Sequence, residues 1–347
     1  MTMPPPFART SSRMLGIEGL RGIAALCVVL LHLQATYGGH PRWFGKGYLG
    51  VDFFLMLSGY LMARSQETRL AAGMNPLGFM VARYRRLWPM MALGGLIGAP
   101  TLFLRSESIS QFLSLSIPNF VLLPVHFQRE AFPLNIPAWT IFYELVANAL
   151  HVFVLWRIGL RGLWLGIAVL VPVMAAIGMS HGAFDVGARP ENFLLGLPRI
   201  AFAYMIGMAL SRWWRDEPPL PVPPFLAFAL MPLLCMTAWR MGWSGWAFDM
   251  AFVLLACPAM IAGALRYRGS AALARWSGKL SFPLFAVHMP ILQAGHRIFH
   301  LSWQWGGALA IGGGIVVAVV SGTRRRWLER RSDVKAALQR EGSPTEM

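Results

Sequence analysis

Residues 19–32 read Gly19-Leu-Arg-Gly-Ile-Ala-Ala-Leu-Cys-Val-Val-Leu-Leu-His32, an apolar run with Arg21 at its start and His32 at its end. These two polar residues are eleven positions apart, about three turns at roughly 3.6 residues per turn, so a helix places both on one face. A rise of about 1.5 Å per residue separates them by roughly 16 Å. If this helix spans a bilayer, Arg21 lies near one surface and His32 lies well inside. A histidine there costs free energy unless it has partners, which makes His32 a candidate functional residue.

The composition of the whole chain is typical of a polytopic membrane protein. Of 347 residues, 56% are hydrophobic and 13% are charged, whereas soluble domains carry about 25% charged residues. A net charge of +16 would suggest a nucleic-acid partner in a soluble protein. Here the charges alternate between loops, so we expect a lipid bilayer and no nucleic acid. The three cysteines, Cys27, Cys235 and Cys257, lie in apolar runs without metal-type spacing, and we predict no metal site.

Ten apolar runs approach the length that a bilayer requires. They cover residues 20–38, 48–64, 88–104, 138–157, 162–179, 193–212, 225–241, 246–265, 280–300 and 305–323. If the N-terminus is cytoplasmic, the inner segments hold 23 of the 31 Lys and Arg residues, with Arg9 and Arg13 at one end and a basic tail from Arg324 at the other. The outer segments hold the remaining eight, Arg199 among them. This is a strong positive-inside bias.

The sequence therefore predicts an all-α polytopic membrane protein, a bundle of about ten transmembrane helices with both termini cytoplasmic. We expect a single transmembrane domain over residues 1–325 and a charged cytoplasmic tail over residues 326–347. In the largest predicted outer loop, residues 105–137, the apolar piece Phe120–Val125 is expected to fold back toward the membrane.

Four further stretches carry polar residues in apolar surroundings, and each allows a structural and a functional interpretation. Asp52, at the start of the second predicted helix, either caps that helix or supports the imidazole of His32. Ser58 and the following glycine favour close helix packing. Arg83 and Arg86, three positions apart, either anchor a helix at the inner surface or form a phosphate clamp.

The last two stretches contain Glu144 and His288. Glu144 enters a helix below the predicted outer surface, where a carboxylate needs a partner or a polar cavity. His151, seven positions further on, is interpreted as a core histidine. His288 lies between two prolines that free backbone carbonyls, and a packed histidine there is as plausible as a functional one.

Taken together and in this order, the five stretches resemble the membrane-bound acyltransferase-3 family, the bacterial sugar O-acyltransferases. The resemblance runs from about residue 15 to residue 325. The matches to the family motifs are Arg21 with His32, residues 50–59, Arg83 with Arg86 before Trp88 and Pro89, Trp139 with Glu144, and Ser281–Pro290. The departures are Glu18 for the usual aspartate, Ala82 for a basic residue and Leu145 for a second glutamate.

The resemblance implies an integral-membrane O-acyltransferase in the bacterial inner membrane. Its donor would be cytoplasmic acyl-CoA, most often acetyl-CoA, and no cofactor would be bound permanently. Its acceptor would be a hydroxyl of a carbohydrate such as an exopolysaccharide, an O-antigen or a lipid-linked sugar. The alternatives are a transporter or flippase for a lipid-linked sugar, and a non-catalytic component of a polysaccharide export complex. A transporter predicts inverted repeats, and the sequence shows none.

The same resemblance implies roles for individual residues. His32, assisted by Arg21, would take a proton from the acceptor, and Asp52 or Glu144 would fix its tautomer. Arg83 and Arg86 would hold the phosphates of coenzyme A. His288, Trp139 and Ser58 are expected at the substrate cavity.

Overall fold

A computed structural model describes residues 14–38, 43–214 and 217–341, with side chains as far as residue 323. Several basic residues of the topology prediction lie outside these described residues: Arg9, Arg13, Arg42 and Arg215, and the tail side chains from Arg324 onward. Within the described part the structure is helical, without strands. The helices are α1 (Leu15–Tyr37), α2 (Leu49–Ala71), α3 (Pro76–Phe103), α4 (Ile109–Phe120), α5 (Ala138–Phe153), α6 (Leu160–His181), α7 (Gly196–Trp214), α8 (Pro224–Met241), α9 (Trp246–Ala251), α10 (Cys257–Leu265), α11 (Ala271–Arg297) and α12 (Trp303–Glu341).

Local sequence explains where several of these helices begin and end. The side chain of Asn75 accepts a hydrogen bond from the amide of Leu77 and precedes Pro76, so α3 starts with a capping residue and a proline. Helix α8 ends at Met241, and the following Gly242 has a φ of 68°, a conformation that glycine adopts without steric cost. A π-helical turn, Phe252–Ala256, joins α9 to α10.

Six helices in the described residues are long and apolar enough to cross a membrane: Leu15–Tyr37, Leu160–His181, Pro190–Trp214, Pro224–Met241, Trp246–Leu265 and Trp303–Thr323. The all-α, multi-pass prediction is thus confirmed. The other four predicted spans are also helical, as α2, α3, α5 and α11. The total of ten spans and the cytoplasmic position of the termini remain predictions.

Helices α1 and α11 pack along each other in parallel. The Ser277 hydroxyl donates to the carbonyl of Gly19 at 3.0 Å near the start of both helices, and Thr36 lies beside Met289 near their ends. Gly22 allows the close approach, because a Cβ at this position would overlap the Ser277 hydroxyl. A parallel pair is what an alternating path requires of the first and ninth predicted spans.

Helices α2 and α7 form a second close parallel pair. A Cβ on Gly59 would overlap the carbonyl of Tyr204, so the predicted packing role of the Ser-Gly pair is confirmed for its glycine. Further along the two helices, Glu67 accepts hydrogen bonds from Arg212 at 2.6 and 3.0 Å.

The loop between α3 and α5 folds back, as the sequence suggested. Helix α4 returns along α3, and the indole N–H of Trp88 donates to the carbonyl of Phe120 at 2.8 Å. Before α5 begins, the side-chain amide of Asn135 donates to the carbonyl of Ala286 in α11 at 2.8 Å. That carbonyl lacks a helical partner because Pro290, four residues later, has no N–H. The loop therefore holds α11 at the carbonyl that Pro290 leaves without a helical partner.

Candidate active site

The two histidines singled out by the sequence meet at the interface of α1 and α11. His32 Nδ1 lies 2.8 Å from His288 Nε2, and the two rings stack at an interplanar angle of 22°. His288 is fully buried, whereas His32 retains partial exposure. One imidazole therefore has an accessible edge and the other serves as its buried partner.

A backbone carbonyl determines the tautomers of this histidine pair. His288 Nδ1 lies 3.0 Å from the carbonyl oxygen of Leu284, which can only accept a hydrogen bond. In the neutral pair His288 therefore carries its proton on Nδ1, and its Nε2 accepts from His32 Nδ1–H. The remaining nitrogen, His32 Nε2, keeps its lone pair and is the basic atom of the site.

A cavity of about 780 Å³ lies beside the pair and is lined by residues of α1, α2, α3, α5 and α11. Its volume falls in the range of ligand pockets, about 300–1,000 Å³. Four arginines and one glutamate are its charged lining residues: Arg21, Arg69, Arg83, Arg86 and Glu144. With this excess of guanidinium groups, the cavity favours an anionic ligand.

Arg83 and Glu144 form an ion pair in the wall of this cavity, 2.5 Å apart. Both side chains retain about a fifth of their exposure, so Glu144 has the partner that its position demanded. Two hydroxyls in the same wall, those of Ser58 and Thr140, are buried and have no hydrogen-bond partner among the described residues. A ligand that offers acceptors would satisfy these hydroxyls.

Asp52 lies in the first turn of α2, as the sequence suggested, but its partner is Arg199 and not the imidazole of His32. Its carboxylate accepts two hydrogen bonds from Arg199, at 2.7 and 3.0 Å, and both side chains are almost fully buried. Arg199 also donates to the carbonyls of Val186 and Tyr48. Arg199, which the charge census assigned to an outer segment, lies in the first turn of α7 as the buried partner of Asp52. The described residues show no hydrogen bond from Asp52 or Glu144 to His32, and His288 occupies the orienting position.

Trp139 and His151 lie outside the cavity lining. Trp139 packs against the Arg199 guanidinium, 5.5 Å from the ring centre, and so covers the buried ion pair. His151 is fully buried and packs edge-on against Tyr204, with its Nε2 3.7 Å from Glu67. This agrees with the interpretation of His151 as a core histidine.

The structure thus divides the predicted site residues into three groups. One cavity is lined by Arg21, Ser58, Arg83, Arg86 and Glu144. His32 and His288 form the adjacent pair, and Asp52 and Trp139 belong to a separate buried cluster with Arg199. Sequence reasoning missed Arg69, Thr140 and the pairing of Arg199. The signal for Arg199 was available, since an arginine within an apolar run needs a buried partner. Arg69 had no comparable signal because it lies in a polar stretch, and Thr140 had none because a threonine is common within apolar helices.

A multi-pass helical bundle that holds a histidine pair next to an arginine-lined cavity has a base beside a site for an anionic ligand, which are the parts that group transfer requires. Comparison with protein families identifies the class of protein. The family model Acyl_transf_3, described as an acyltransferase domain, matches residues 14–323. The chain belongs to this acyltransferase family, as its motifs indicated. Membership favours an acyltransferase over the transporter and the non-catalytic export component.

Individual relatives agree with the family. The chain is 24% identical to the peptidoglycan O-acetyltransferase OatA of Listeria monocytogenes over 343 residues, which cover 88% of this chain and 54% of OatA. It is 29% identical to protein 2 in the picA locus of Rhizobium radiobacter over 201 residues, 53% of this chain and 99% of that protein. The chain thus corresponds to about half the length of OatA. No solved structure gave a significant match.

Proposed function

We propose that this protein transfers an acetyl group from acetyl-CoA to a hydroxyl of a cell-envelope carbohydrate in the bacterial cytoplasmic membrane. The observation that carries the proposal is the position of the histidine pair one helical turn beyond the arginine-lined cavity. Phe285 in α11 lines the cavity, and His288 follows three residues later. The cavity supplies a place for an anionic donor, and the pair supplies a base at its end.

Coenzyme A suits the charge of the cavity. Its phosphates match guanidinium groups, which donate paired hydrogen bonds to phosphate oxygens. Arg83 and Arg86 lie in the first half of α3, and Arg69 belongs to the last turn of α2. We place these residues at the cytoplasmic mouth of the cavity and Arg21 further along the path of the donor.

The proposed reaction uses His32 Nε2 as a general base. It takes the proton of the acceptor hydroxyl while the hydroxyl oxygen attacks the thioester carbon. The carbon–sulfur bond then breaks, and the leaving thiolate takes the proton back from His32. The products are an O-acetyl ester and free coenzyme A. His288 holds the tautomer that leaves Nε2 unprotonated.

Donor binding tests the cavity assignment without any acceptor. For purified protein in detergent, we expect Arg83→Ala with Arg86→Ala to raise the dissociation constant for coenzyme A by about 10-fold or more, since hydrogen bonds to charged groups contribute about 1.5–3 kcal/mol each. The matched control is Arg85→Ala, an exposed arginine on the same helix that does not line the cavity. Equal affinity in wild type and double variant would leave the two arginines as membrane anchors only.

Transfer of labelled acetyl groups to carbohydrate tests the role of His32. We expect His32→Ala to lower the rate by about 10²–10⁴-fold, the usual contribution of a general base. His181→Ala, at an exposed histidine that ends α6, is the control and should transfer at the wild-type rate. Wild-type incorporation by His32→Ala would contradict the assignment.

A further inference from the structure

The cavity and the histidine pair are separated by a wall of two aromatic rings. Phe54 of α2 and Phe285 of α11 both line the cavity and pack edge to face, with ring centres 6.3 Å apart. On the far side of this wall, the ring of Phe285 lies 6.0 Å from that of His288. Neither His32 nor His288 is among the described residues that line the cavity.

The direct line along α1 from Arg21 to His32 is closed by packed side chains. Ala25, Val29 and Leu284 are buried together at the interface of α1 and α11, and Phe54 packs against them. A group that moves from the cavity toward the histidine pair along this interface meets the rings of Phe54 and Phe285. Phe285 lines the cavity and also contacts the ring of His288, and Phe54 packs against Phe285.

We propose that Phe54 and Phe285 select the acyl group of the donor by its size. The inference rests on the proposed function, in which the acyl carbon must reach the acceptor oxygen beside His32. The acyl group is the leading end of the donor and meets the two rings first. An acetyl group presents a single methyl to them, whereas each added methylene needs space that close-packed rings do not leave. A pocket of fixed size discriminates about 10–200-fold per methylene.

Phe282 provides a matched control on the same helix. It also lines the cavity, but it lies three residues before Phe285 and so about one turn further from His288. Its replacement enlarges the cavity away from the aromatic wall. Comparison of Phe282→Ala with Phe285→Ala therefore distinguishes the effect of a larger cavity from the effect of an opened aromatic wall.

The test compares kcat/KM for acetyl-CoA and butyryl-CoA in wild type, Phe54→Ala, Phe285→Ala and Phe282→Ala. We expect the ratio of butyryl to acetyl transfer to rise by about 10-fold or more in Phe54→Ala and Phe285→Ala, and to stay within about twofold of wild type in Phe282→Ala. Because Phe285 is buried and its alanine variant can fail to fold, the half-buried Phe54 is also replaced by leucine. That variant should show an intermediate ratio.

An unchanged ratio in Phe54→Ala with acetyl transfer retained would overturn the selection by size. An equal rise in Phe282→Ala would also overturn it, because any enlargement of the cavity would then suffice. Absence of acetyl-CoA-dependent transfer by the wild type would overturn the proposed function instead. The two failures are therefore distinguishable.

Discussion

The carbonyl of Leu284 determines which nitrogen of His32 carries a lone pair, although its hydrogen bond is to His288. A histidine partner differs from a carboxylate in this position, because neutral imidazole brings no charge into a buried site. In the proposed mechanism His288 is thus a positioning residue that acts through His32. The sequence marked both histidines, but the spacing between them gave no sign that they meet.

Replacement of His288 separates this positioning role from a purely structural one. In His288→Ala the proton on His32 is free to move to Nε2, so we expect kcat to fall by about 10–100-fold, less than in His32→Ala. The KM for acetyl-CoA should stay within about twofold of wild type, because His288 does not line the cavity. In His288→Gln a side-chain oxygen can still accept from His32 Nδ1–H, so this variant should recover part of kcat. Equal kcat in the alanine and glutamine variants would argue against the tautomer role.

We expect Asp52 to stabilise the helical bundle through its ion pair with Arg199 rather than to act on the histidine pair. In Asp52→Ala the buried Arg199 loses the carboxylate with which it pairs. An uncompensated buried charge should lower the free energy of unfolding by about 3–5 kcal/mol. A thermal melt in detergent measures this loss. The double variant Asp52→Ala with Arg199→Met should melt closer to wild type, since an apolar pair avoids the unpaired charge. A wild-type melting temperature for Asp52→Ala combined with lost activity would instead indicate a direct catalytic role.

At the scale of elements, the site depends on how closely α1 approaches α11. The contact is built from small residues at one end, where Gly22 faces Ser277, and from the histidine pair at the other. Glycine patterns in a sequence indicate that some close helix contact exists, but they do not name the partner helix. The sequence therefore predicted the helices but not which helices pack against each other.

A single methyl group at this contact should disturb the pair three turns away. Gly22→Ala places its Cβ against the Ser277 hydroxyl and carbonyl, and we expect a stability loss of about 1–3 kcal/mol from overpacking, together with a lower kcat. Ser277→Gly in the same chain removes the hydroxyl and should restore part of both. Gly312→Ala, where a Cβ meets nothing within 4 Å, is the control. A Gly22→Ala protein with the stability and rate of wild type would show that α1 and α11 tolerate separation.

At the scale of the whole molecule, charge patterning and apolar length predicted the class of fold because both follow directly from the cost of polar groups in lipid. The same patterns predicted that the polar residues inside the apolar runs gather in one site, since intramembrane charges need partners. They could not divide these residues between a cavity, a histidine pair and the cluster of Asp52 with Arg199. That division depends on which helices are neighbours, and hydrophobic periodicity carries no such information.

The predicted sidedness can be measured by thiol labelling, because Cys27, Cys235 and Cys257 are all buried and should react slowly. Thr68 at the end of α2 and Arg129 in the loop before α5 are both exposed. In intact cells a membrane-impermeant maleimide should label Arg129→Cys at once and Thr68→Cys only after permeabilisation. Reversed labelling would invert the topology, and labelling of both sites from outside would contradict the alternating path.

The contact between His32 and His288 also has a consequence for biosynthesis. The two residues are 256 positions apart in the chain, and ribosomes add about 5–20 residues per second. The first helix therefore waits on the order of 10–50 s after its own synthesis before its histidine partner exists. During this interval the nascent chain has a completed α1 with His32 but no His288 to fix the tautomer of that histidine. The histidine pair thus forms late in translation, and a chain that stops before α11 inserts into the membrane without it.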